Sequence, residues 1–213
     1  MTYYGRWTYK YEQAARMGAE GILIIHETKG AGYPYNIPRK SSISPNLYLK
    51  QENKNNDRCK FTGWLSAEAA QEIFNDLGID IEELRKKACI KGFKGFDMNA
   101  TISLQIHNSF RENESKNVAG ILRGTDAPDE VIIYSGHWDH FGIGEKEEGD
   151  SIYNGAVDNG TTMAWVFETG RAFINCGQKP SRSIMLFFPT AEEQGLLGSM
   201  YYTENPAFSM DKT

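Results

Sequence analysis

The stretch Val131-Ile132-Ile133-Tyr134-Ser135 is an apolar run of strand length, and it leads directly into Gly136-His137-Trp138-Asp139. A second run, Ser183–Phe188, has the same character. Between the two runs, apolar or small residues recur at the spacing of one helix face, at Met163, Val166, Phe167, Gly170, Phe173 and Ile174. Strand, helix and strand in this order predict a βαβ unit, and therefore a parallel sheet covered by helices.

Further segments extend this pattern toward the amino terminus. Thr101–Ile106 and Val118–Leu122 are rich in residues that favour strands. Tyr9–Met17 predicts a short helix that Gly18 ends, and Gly21–Ile25 predicts a buried strand. Helices and strands are therefore expected in both halves of the chain.

Polar and glycine-rich segments separate these elements. Residues 31–45 are rich in Gly, Pro, Ser and Asn and predict a loop, as do the polar residues 51–58. Ser66 predicts the cap of a helix that Gly78 ends. Asp80 and Glu83 form a capping-box pattern that predicts a second helix, running to about Ala88.

A change of character near Lys91–Gly95, which holds two glycines and two lysines, indicates a domain boundary. Residues 1–94 would form one domain of α+β character, and residues 95–213 would form a second domain that contains the βαβ unit. A length of 213 residues suits one large domain or two small ones. The predicted fold class is α/β, with a mainly parallel sheet flanked by helices in the second domain.

Composition restricts the partners and the type of metal site. A net charge of −5 gives no reason to expect binding to nucleic acid or to an anionic membrane. No apolar run approaches the ~20 residues that a membrane-spanning helix needs. The three cysteines, Cys59, Cys89 and Cys176, form no C-x-x-C pair, which argues against a disulfide framework and a thiolate zinc site. Any metal would therefore be held by His, Asp and Glu.

The first motif with chemical potential is Gly136-His137-Trp138-Asp139, at the end of the predicted strand. His137 and Asp139 lie on the same side of an extended backbone. Asp139 can accept one ring N–H of the histidine, which leaves the other nitrogen for a metal. Taken alone, the motif is weak evidence for a metal site, and a structural histidine with satisfied hydrogen bonds is the favoured interpretation. His140, which follows, is interpreted as structural or as a residue of the pocket rim.

The second motif is Asn154-Gly155-Ala156-Val157-Asp158-Asn159-Gly160. Asp158 lies in a glycine-flanked loop at the start of the long helix. Gly155 and Gly160 permit unusual backbone angles, which is compatible with a turn that positions a ligand. The alternative is an ordinary helix cap, a position that aspartate favours.

The third motif, Thr190–Ser199, carries the adjacent carboxylates of Glu192 and Glu193 directly after an apolar strand. One carboxylate could bind a metal while the other moves protons, and nearby charges would shift both pKa values. The alternative is an exposed first turn of a helix, where the helix dipole favours acidic residues.

Together, the three motifs resemble the co-catalytic zinc aminopeptidase family that includes bacterial leucyl aminopeptidases and glutamate carboxypeptidase. The resemblance covers roughly residues 96–206 and is carried by Ser135–His140, Tyr153–Asn159 and Ala191–Ser199, with Asn117–Gly120 upstream. A second resemblance links the stretch from Lys10 to His26 to the protease-associated domain that is often inserted in these enzymes. It implies a partial domain of that kind over residues 1–94.

The family resemblance implies a role for each motif residue in holding metal. His137 and Glu193 would bind one zinc, and Asp158 would bridge two zincs. Asp139 would orient His137. The Asp158–Asn159 peptide bond would be cis, as it is after the bridging aspartate of the family.

The resemblance also implies the reaction. Glu192 would be the general base, which takes a proton from the attacking water and passes it to the leaving amine. The expected activity is removal of amino-terminal residues from peptides by a zinc-dependent aminopeptidase. Peptide substrates and a secreted, periplasmic or extracellular location follow from the same resemblance.

Two further zinc ligands of the family, an aspartate and a histidine, come after the Glu-Glu pair. After Glu193 this sequence has no histidine, and its one aspartate, Asp211, lies in a polar stretch and is not assigned a ligand role. We therefore expect one zinc in this chain rather than two, and weak or no activity from the chain alone. The missing ligands and the absence of a signal segment before Met1 predict truncation at both ends.

Three alternatives stay open at this stage. Carboxypeptidase or dipeptidase action would use the same scaffold. A non-catalytic peptide-binding fragment would keep the residues without the reaction. A mono-zinc acyltransferase of the glutaminyl-cyclase type would share the scaffold as well. The sequence gives no oligomeric state.

Overall fold

The computed structural model describes residues 3–43, 45–52 and 56–213. The chain is α/β, as predicted. It divides into two compact units, one formed by Met1–Asn46 with Lys50–Ser109 and the other by Leu47–Leu49 with Phe110–Thr213. The proposed boundary between residues 94 and 95 stays a prediction. Among the described residues, no helix combines the length and the apolarity needed to cross a membrane.

The first unit combines short helices with a two-stranded parallel sheet. Its helices are α1 (Trp7–Arg16), α2 (Thr28–Ala31), α3 (Asn36–Ile43), α4 (Ala67–Asp76) and α5 (Ile81–Ala88). Its strands are β1 (Gly21–Ile25) and β2 (Phe61–Leu65), which pair in parallel. The predicted strand and the predicted helices on either side of it are therefore present, whereas β2 was not predicted.

The predicted helix caps of this unit are confirmed. Ser66 accepts a hydrogen bond from the amide of Ala69 at the start of α4. The Asp80 carboxylate accepts the amide protons of Glu82 and Glu83 at the start of α5. These bonds satisfy amides that have no partner within the helix, so the local sequence sets where each helix begins.

The predicted loop over residues 31–45 is wrong for the part that forms α3. Pro38 is the third residue of this helix, where its missing N–H removes no intrahelical hydrogen bond. The hydroxyl of Ser42 donates to the Pro38 carbonyl at 2.7 Å. A segment rich in Pro and Ser can therefore still form one short helix. Of the predicted loop 51–58, residues 53–55 lie outside the described residues.

The predicted strand Thr101–Ile106 is also wrong, because these residues belong to no strand. Their apolar side chains, including Ile102 and Leu104, are exposed. A strand needs a neighbouring strand and a buried face as well as favourable residues, and this segment has neither.

The second unit contains the predicted βαβ unit. Its strands are β3 (Val118–Leu122), β4 (Ala127–Ser135), β5 (Gly142–Glu147), β6 (Asp150–Tyr153) and β7 (Arg182–Phe188). Its helices are α6 (Thr162–Asn175) and α7 (Leu197–Glu204). β4 and β7 are parallel neighbours, and α6 connects them along the chain with the β5–β6 hairpin before it.

The main sheet of this unit is mixed rather than mainly parallel. Its order is β3-β7-β4, and β3 is antiparallel to β7. Only a short connection joins β3 to β4, so the chain reverses direction between them. Since β4 is parallel to β7, β3 must be antiparallel to it.

Packing on both faces fixes β7 in the centre of this sheet. One face contributes Met185 and Phe187 to a buried cluster with Val131, Tyr202 and Phe208. On the other face, α6 approaches closely at Gly170, where an added methyl group would collide with Leu186. This packing holds the carboxyl ends of β4 and β7 side by side, and the motif residues follow those ends.

Candidate metal centre

Hydrogen bonds between the two backbones continue past the ends of β4 and β7. The amide of Gly136 donates to the carbonyl of Phe187 at 3.1 Å, and the amide of Trp138 donates to the carbonyl of Pro189 at 3.2 Å. The segment that carries His137 and the loop that carries both glutamates therefore leave the sheet together. Sites of α/β proteins commonly form at this edge.

His137 is the buried centre of the arrangement. Its Nδ1 donates to the backbone carbonyl of Asp139 at 3.0 Å, and its Nε2 lies 3.0 Å from Oδ1 of Asp158. Oε2 of Glu192 lies 3.5 Å from the same Nε2. Because the carbonyl oxygen can only accept, Nδ1 carries a proton and Nε2 is the atom available to a metal.

Three of the predicted site residues form a group with the spacing of metal ligands. One ligand atom each from His137, Glu192 and Glu193 lies within 4.8 Å of the other two. Asp158 joins this group through its contact with His137, although its side chain is largely exposed. The structure thus gathers His137 and Glu193, two of the residues predicted to bind metal, with the predicted general base, and it places the third, Asp158, against His137.

Competing effects determine the pKa of His137. Burial lowers it, but the hydrogen bond to the Asp139 carbonyl and the carboxylates of Glu192, Asp139 and Asp158 raise it more. The net result is a pKa above the usual 6.5. In the metal-free protein, a proton on His137 therefore partly compensates the surrounding negative charge.

The pKa of Glu192 is also raised, above its usual 4.5. Burial is the largest cause, and the charges of Glu193, Asp139 and Asp158 act in the same direction. The charge of His137 opposes them. A carboxyl group that holds its proton more tightly is a better base when ionised, as general acid–base chemistry requires.

The carboxylate of Asp139 has different partners from those expected. Its Oδ1 accepts the amide proton of Glu192 at 3.0 Å, and its Oδ2 accepts that of Glu193 at 3.2 Å. The N–H of His137 is taken by the backbone carbonyl of Asp139, while Oδ1 is 3.8 Å from that nitrogen. The side chain of Asp139 therefore holds the glutamate loop, and its main chain orients the histidine.

Asp158 lies in a kinked turn, Ala156–Thr161, that precedes α6, and its own backbone angles, φ −108° and ψ 91°, are not helical. The Asp158–Asn159 peptide bond is cis, as predicted. Gly155 enters the turn with a φ of +67°, a conformation that glycine adopts without strain. Asp158 is thus part of an irregular turn rather than the cap of a regular helix.

Two residues with contacts to the glutamate loop were not predicted as site residues. His140, interpreted from sequence as structural or as a rim residue, has its Nδ1 2.6 Å from Oε1 of Glu193. Asn117 binds both ends of the loop, since its Oδ1 accepts from the Thr190 amide at 3.0 Å and its Nδ2 donates to the Gly198 carbonyl at 2.8 Å. The available signals were a second histidine beside the H-x-D motif and a polar residue directly before β3.

Comparison with known proteins gives a family match for the second half of the chain. Residues 117–213 match the model of "Peptidase family M28". The matched part includes every predicted site residue, and it begins at Asn117.

Characterised relatives agree with that match. The chain is 33% identical to mouse "Aminopeptidase NAALADL1" over 51% of its own length and 14% of that protein. It is 30% identical to a Caenorhabditis elegans "Glutamate carboxypeptidase 2 homolog" over 52% of its length and 13% of that protein. It is also 30% identical to rat "Carboxypeptidase Q" over 45% of its length and 18% of that protein. The chain therefore spans less than a fifth of each of these relatives.

Proposed function

Because residues 117–213 match the model of peptidase family M28, we propose that this chain takes part in metal-dependent hydrolysis of peptide bonds, as an aminopeptidase. The relatives include proteins named aminopeptidase and carboxypeptidase, and this similarity supports hydrolysis of peptide bonds without deciding which end of the peptide is cleaved. The aminopeptidase assignment follows from the resemblance of the motifs to that family. Peptides are accordingly the proposed substrates.

The observation that carries this proposal is the group formed by His137, Glu192 and Glu193, whose ligand atoms lie within 4.8 Å of one another. Asp158 adds a further carboxylate, 3.0 Å from Nε2 of His137. Several carboxylates gathered around one imidazole repel each other unless a cation compensates them. Imidazole nitrogen and carboxylate oxygen are both common zinc ligands, so the donor set fits this ion.

We assign the zinc ligands to His137, Asp158 and Glu193. Nδ1 of His137 is hydrogen-bonded to a backbone carbonyl, so Nε2 is the atom that would bind the ion. Three protein ligands would leave room for water or substrate on the ion, which is usual for a catalytic zinc. Bound zinc would supply Lewis acidity that polarises a peptide carbonyl and eases deprotonation of water.

The protein's own contribution to the reaction is proton transfer by Glu192. The Asp139 carboxylate fixes the Glu192 backbone, and the Glu192 side chain is 3.5 Å from Nε2 of His137, close to the proposed ligands. Its raised pKa helps it to take a proton from the attacking water. It then returns this proton to the nitrogen of the leaving amine.

The described residues support one zinc per chain. Over residues 3–43, 45–52 and 56–213, the group around His137 is the one set of three or more clustered potential ligands. We therefore propose weak turnover for these residues alone, since a two-metal clamp on the reacting oxygens needs a second ion. A partial protease-associated domain over residues 1–94 and a periplasmic or extracellular location remain proposals from the family resemblance.

Zinc content and hydrolysis, measured on the same preparations, test the proposal. After dialysis against a weak chelator, elemental analysis should give about one zinc per chain, lost in His137→Ala and kept in Glu192→Gln. Hydrolysis of aminoacyl anilides should fall by about 10²–10⁴-fold in Glu192→Gln. Glu168→Gln, a change of the same chemistry on the exposed face of α6, should alter neither.

The result for each alternative differs. If the chain cleaves amino-blocked dipeptides but not aminoacyl anilides, the assignment changes from aminopeptidase to carboxypeptidase. Cyclisation of amino-terminal glutamine would indicate the acyltransferase. A chain that retains zinc but shows no hydrolysis dependent on Glu192 would be a binding module. A wild-type chain that retains no zinc would remove the proposal.

A further inference from the structure

We propose that His140 is a positioning residue, which holds the side chain of Glu193 in the conformation that binds metal. The inference rests on the proposed function, because it concerns how one of the proposed ligands is oriented. Nδ1 of His140 lies 2.6 Å from Oε1 of Glu193. No other side chain of the described residues makes a hydrogen bond to the Glu193 carboxylate that is as short.

The contact between His140 and Glu193 is protected from water. The two side chains are 20% and 12% exposed, respectively. Because a carboxylate oxygen accepts, Nδ1 of His140 carries a proton and donates a hydrogen bond to Oε1 of Glu193. A hydrogen bond to an ionised group is among the stronger ones, and water competes with it less when both groups are largely buried.

The position of the His140 ring is itself fixed from other directions. A Cβ atom at Gly155 would lie 2.9 Å from Cβ and Cγ of His140, so the absence of a side chain at Gly155 makes room for the ring. The ring of Phe141 lies 4.8 Å from it, centroid to centroid. His140 therefore contacts the turn that leads to Asp158 as well as the loop that carries Glu193.

This arrangement gives Glu193 two anchors. Its backbone amide donates to Oδ2 of Asp139 at 3.2 Å, and its side-chain Oε1 accepts from His140. A carboxylate held through one oxygen still presents the second oxygen to a metal. Glutamate has several rotatable bonds, and fixing them before the metal arrives reduces the entropy lost on binding.

Residues that orient metal ligands typically contribute about 10–100-fold to metal affinity. We therefore expect the zinc affinity of the chain to fall by about that factor when His140 is replaced by Leu, which keeps bulk but has no N–H. In His140→Asn, the side-chain amide nitrogen can occupy the place of Nδ1. This variant should bind zinc within about threefold of the wild type, because one hydrogen bond of similar geometry replaces another.

The test is a competition titration of zinc against a chromophoric chelator, with thermal unfolding of each metal-free variant. The expected result is a loss of affinity in His140→Leu, recovery in His140→Asn and unfolding temperatures close to that of the wild type. In a Glu193→Ala background, adding His140→Leu should change the affinity little, because the residue acts through Glu193. His107→Leu, at an exposed position outside the site, is the control.

The opposing outcomes are separate. Wild-type affinity in His140→Leu overturns the inference and leaves the proposed function intact. If His140→Leu and His140→Asn lose zinc affinity equally and both unfold at lower temperature, His140 acts by packing, and the inference is overturned as well. If the effects of His140→Leu and Glu193→Ala on zinc affinity are fully additive, His140 does not act through Glu193, and the inference is overturned. No zinc binding by the wild-type chain removes the proposed function, and this inference with it.

Discussion

The carboxylate of Asp139 accepts a hydrogen bond from the backbone amide of Glu192, at 3.0 Å, across 53 residues of chain. Its second oxygen accepts the next amide, that of Glu193. The acid of the H-x-D motif therefore ties the end of β4 to the loop after β7. Through this one side chain, the backbone positions of the proposed base and of a proposed ligand depend on the histidine segment.

Asp139→Asn should weaken this link without removing the side chain. An amide group has one acceptor oxygen, so one of the two glutamate amides would face an N–H donor instead. Hydrogen bonds to charged groups contribute about 1.5–3 kcal/mol, and we expect the free energy of unfolding to fall by roughly that amount. Urea unfolding of the metal-free chain measures this loss, and zinc titration should show weaker binding.

The control is Asp129→Asn, an exposed position on β4, the strand that precedes Asp139. It should change the free energy of unfolding by less than about 0.5 kcal/mol. An Asp139→Asn variant with wild-type stability and wild-type zinc affinity would show that the paired hydrogen bonds do not hold the loop.

Asn117 makes the second link to the glutamate loop, and Asn117→Ala should open it. The change leaves the Thr190 amide and the Gly198 carbonyl without their side-chain partner. An unsatisfied, partly buried polar group costs about 1–3 kcal/mol, so unfolding by urea should occur at distinctly lower denaturant. Zinc affinity should fall as well, because Glu192 and Glu193 lie between the two anchored residues.

Asn117→Asp separates the two bonds of this link. Aspartate keeps an acceptor for the Thr190 amide but has no donor for the Gly198 carbonyl when it is ionised. The loss of stability should therefore persist, since one carbonyl still lacks its partner and faces a negative charge. Asn108→Ala, in an exposed segment, should leave stability unchanged, and an equal effect there would contradict the proposed role of Asn117.

The sequence predicted the strands and helix starts that are determined by residues close together in the chain. β1 and β3 have the predicted bounds, because each is a short run without polar side chains between polar neighbours. Helices α4 and α5 begin where Ser66 and Asp80 predicted, because capping is a contact between residues two or three apart. Thr101–Ile106 failed for the opposite reason, since pairing with a distant strand decides whether such a segment is a strand.

The β5–β6 hairpin has a clear turn signal in its sequence but no apolar alternation in its strands. Its strands are joined by the two residues Glu148 and Gly149, with φ values of +52° and +94°. A two-residue turn with positive φ at both positions is a favoured hairpin connection, and glycine at its second position is typical. The strands contain Gly and charged residues instead of an apolar alternation, so periodicity did not reveal them.

The site followed a similar division. The motifs were expected together because they follow neighbouring strand ends, and the structure brings His137, Glu192 and Glu193 within ligand distance. The partners of Asp139 and His140 could not be predicted, because each contact joins residues 53 or 54 positions apart. Such contacts depend on the path of a loop, which no local pattern specifies.

The packing that supports these strand ends should be sensitive at Met185. This residue is fully buried on β7, in a cluster with Phe187 and Tyr202. Met185→Ala would leave a cavity and should reduce the free energy of unfolding by about 2–5 kcal/mol. Met200→Ala, on the exposed side of α7, is the matched control and should cost less than about 1 kcal/mol. Equal effects at both positions in thermal or urea unfolding would contradict this description of the core.

The raised pKa of His137 predicts how zinc binding depends on pH. Zinc binds the neutral imidazole, so it must displace the proton that His137 holds below its pKa. As pH falls through that pKa, the dissociation constant should rise by up to about tenfold per pH unit. Because the pKa lies above the usual 6.5, the weakening should begin at a higher pH than for an ordinary histidine. Zinc titrations between neutral and mildly acidic pH measure this onset.

Glu192→Gln provides the discriminating variant for this pH dependence. The Glu192 charge is one cause of the raised pKa of His137, and Glu192 is not a proposed ligand. Removal of this charge should lower the pKa of His137. The proton then competes with zinc only at lower pH, so the onset of weaker binding moves to lower pH. The neutral variant also attracts zinc less at every pH, so the position of the onset is diagnostic and the affinity at one pH is not. Histidine ring signals in nuclear magnetic resonance spectra of the metal-free chain give the pKa directly. An identical onset in the wild type and Glu192→Gln would mean that this carboxylate does not control the proton on His137.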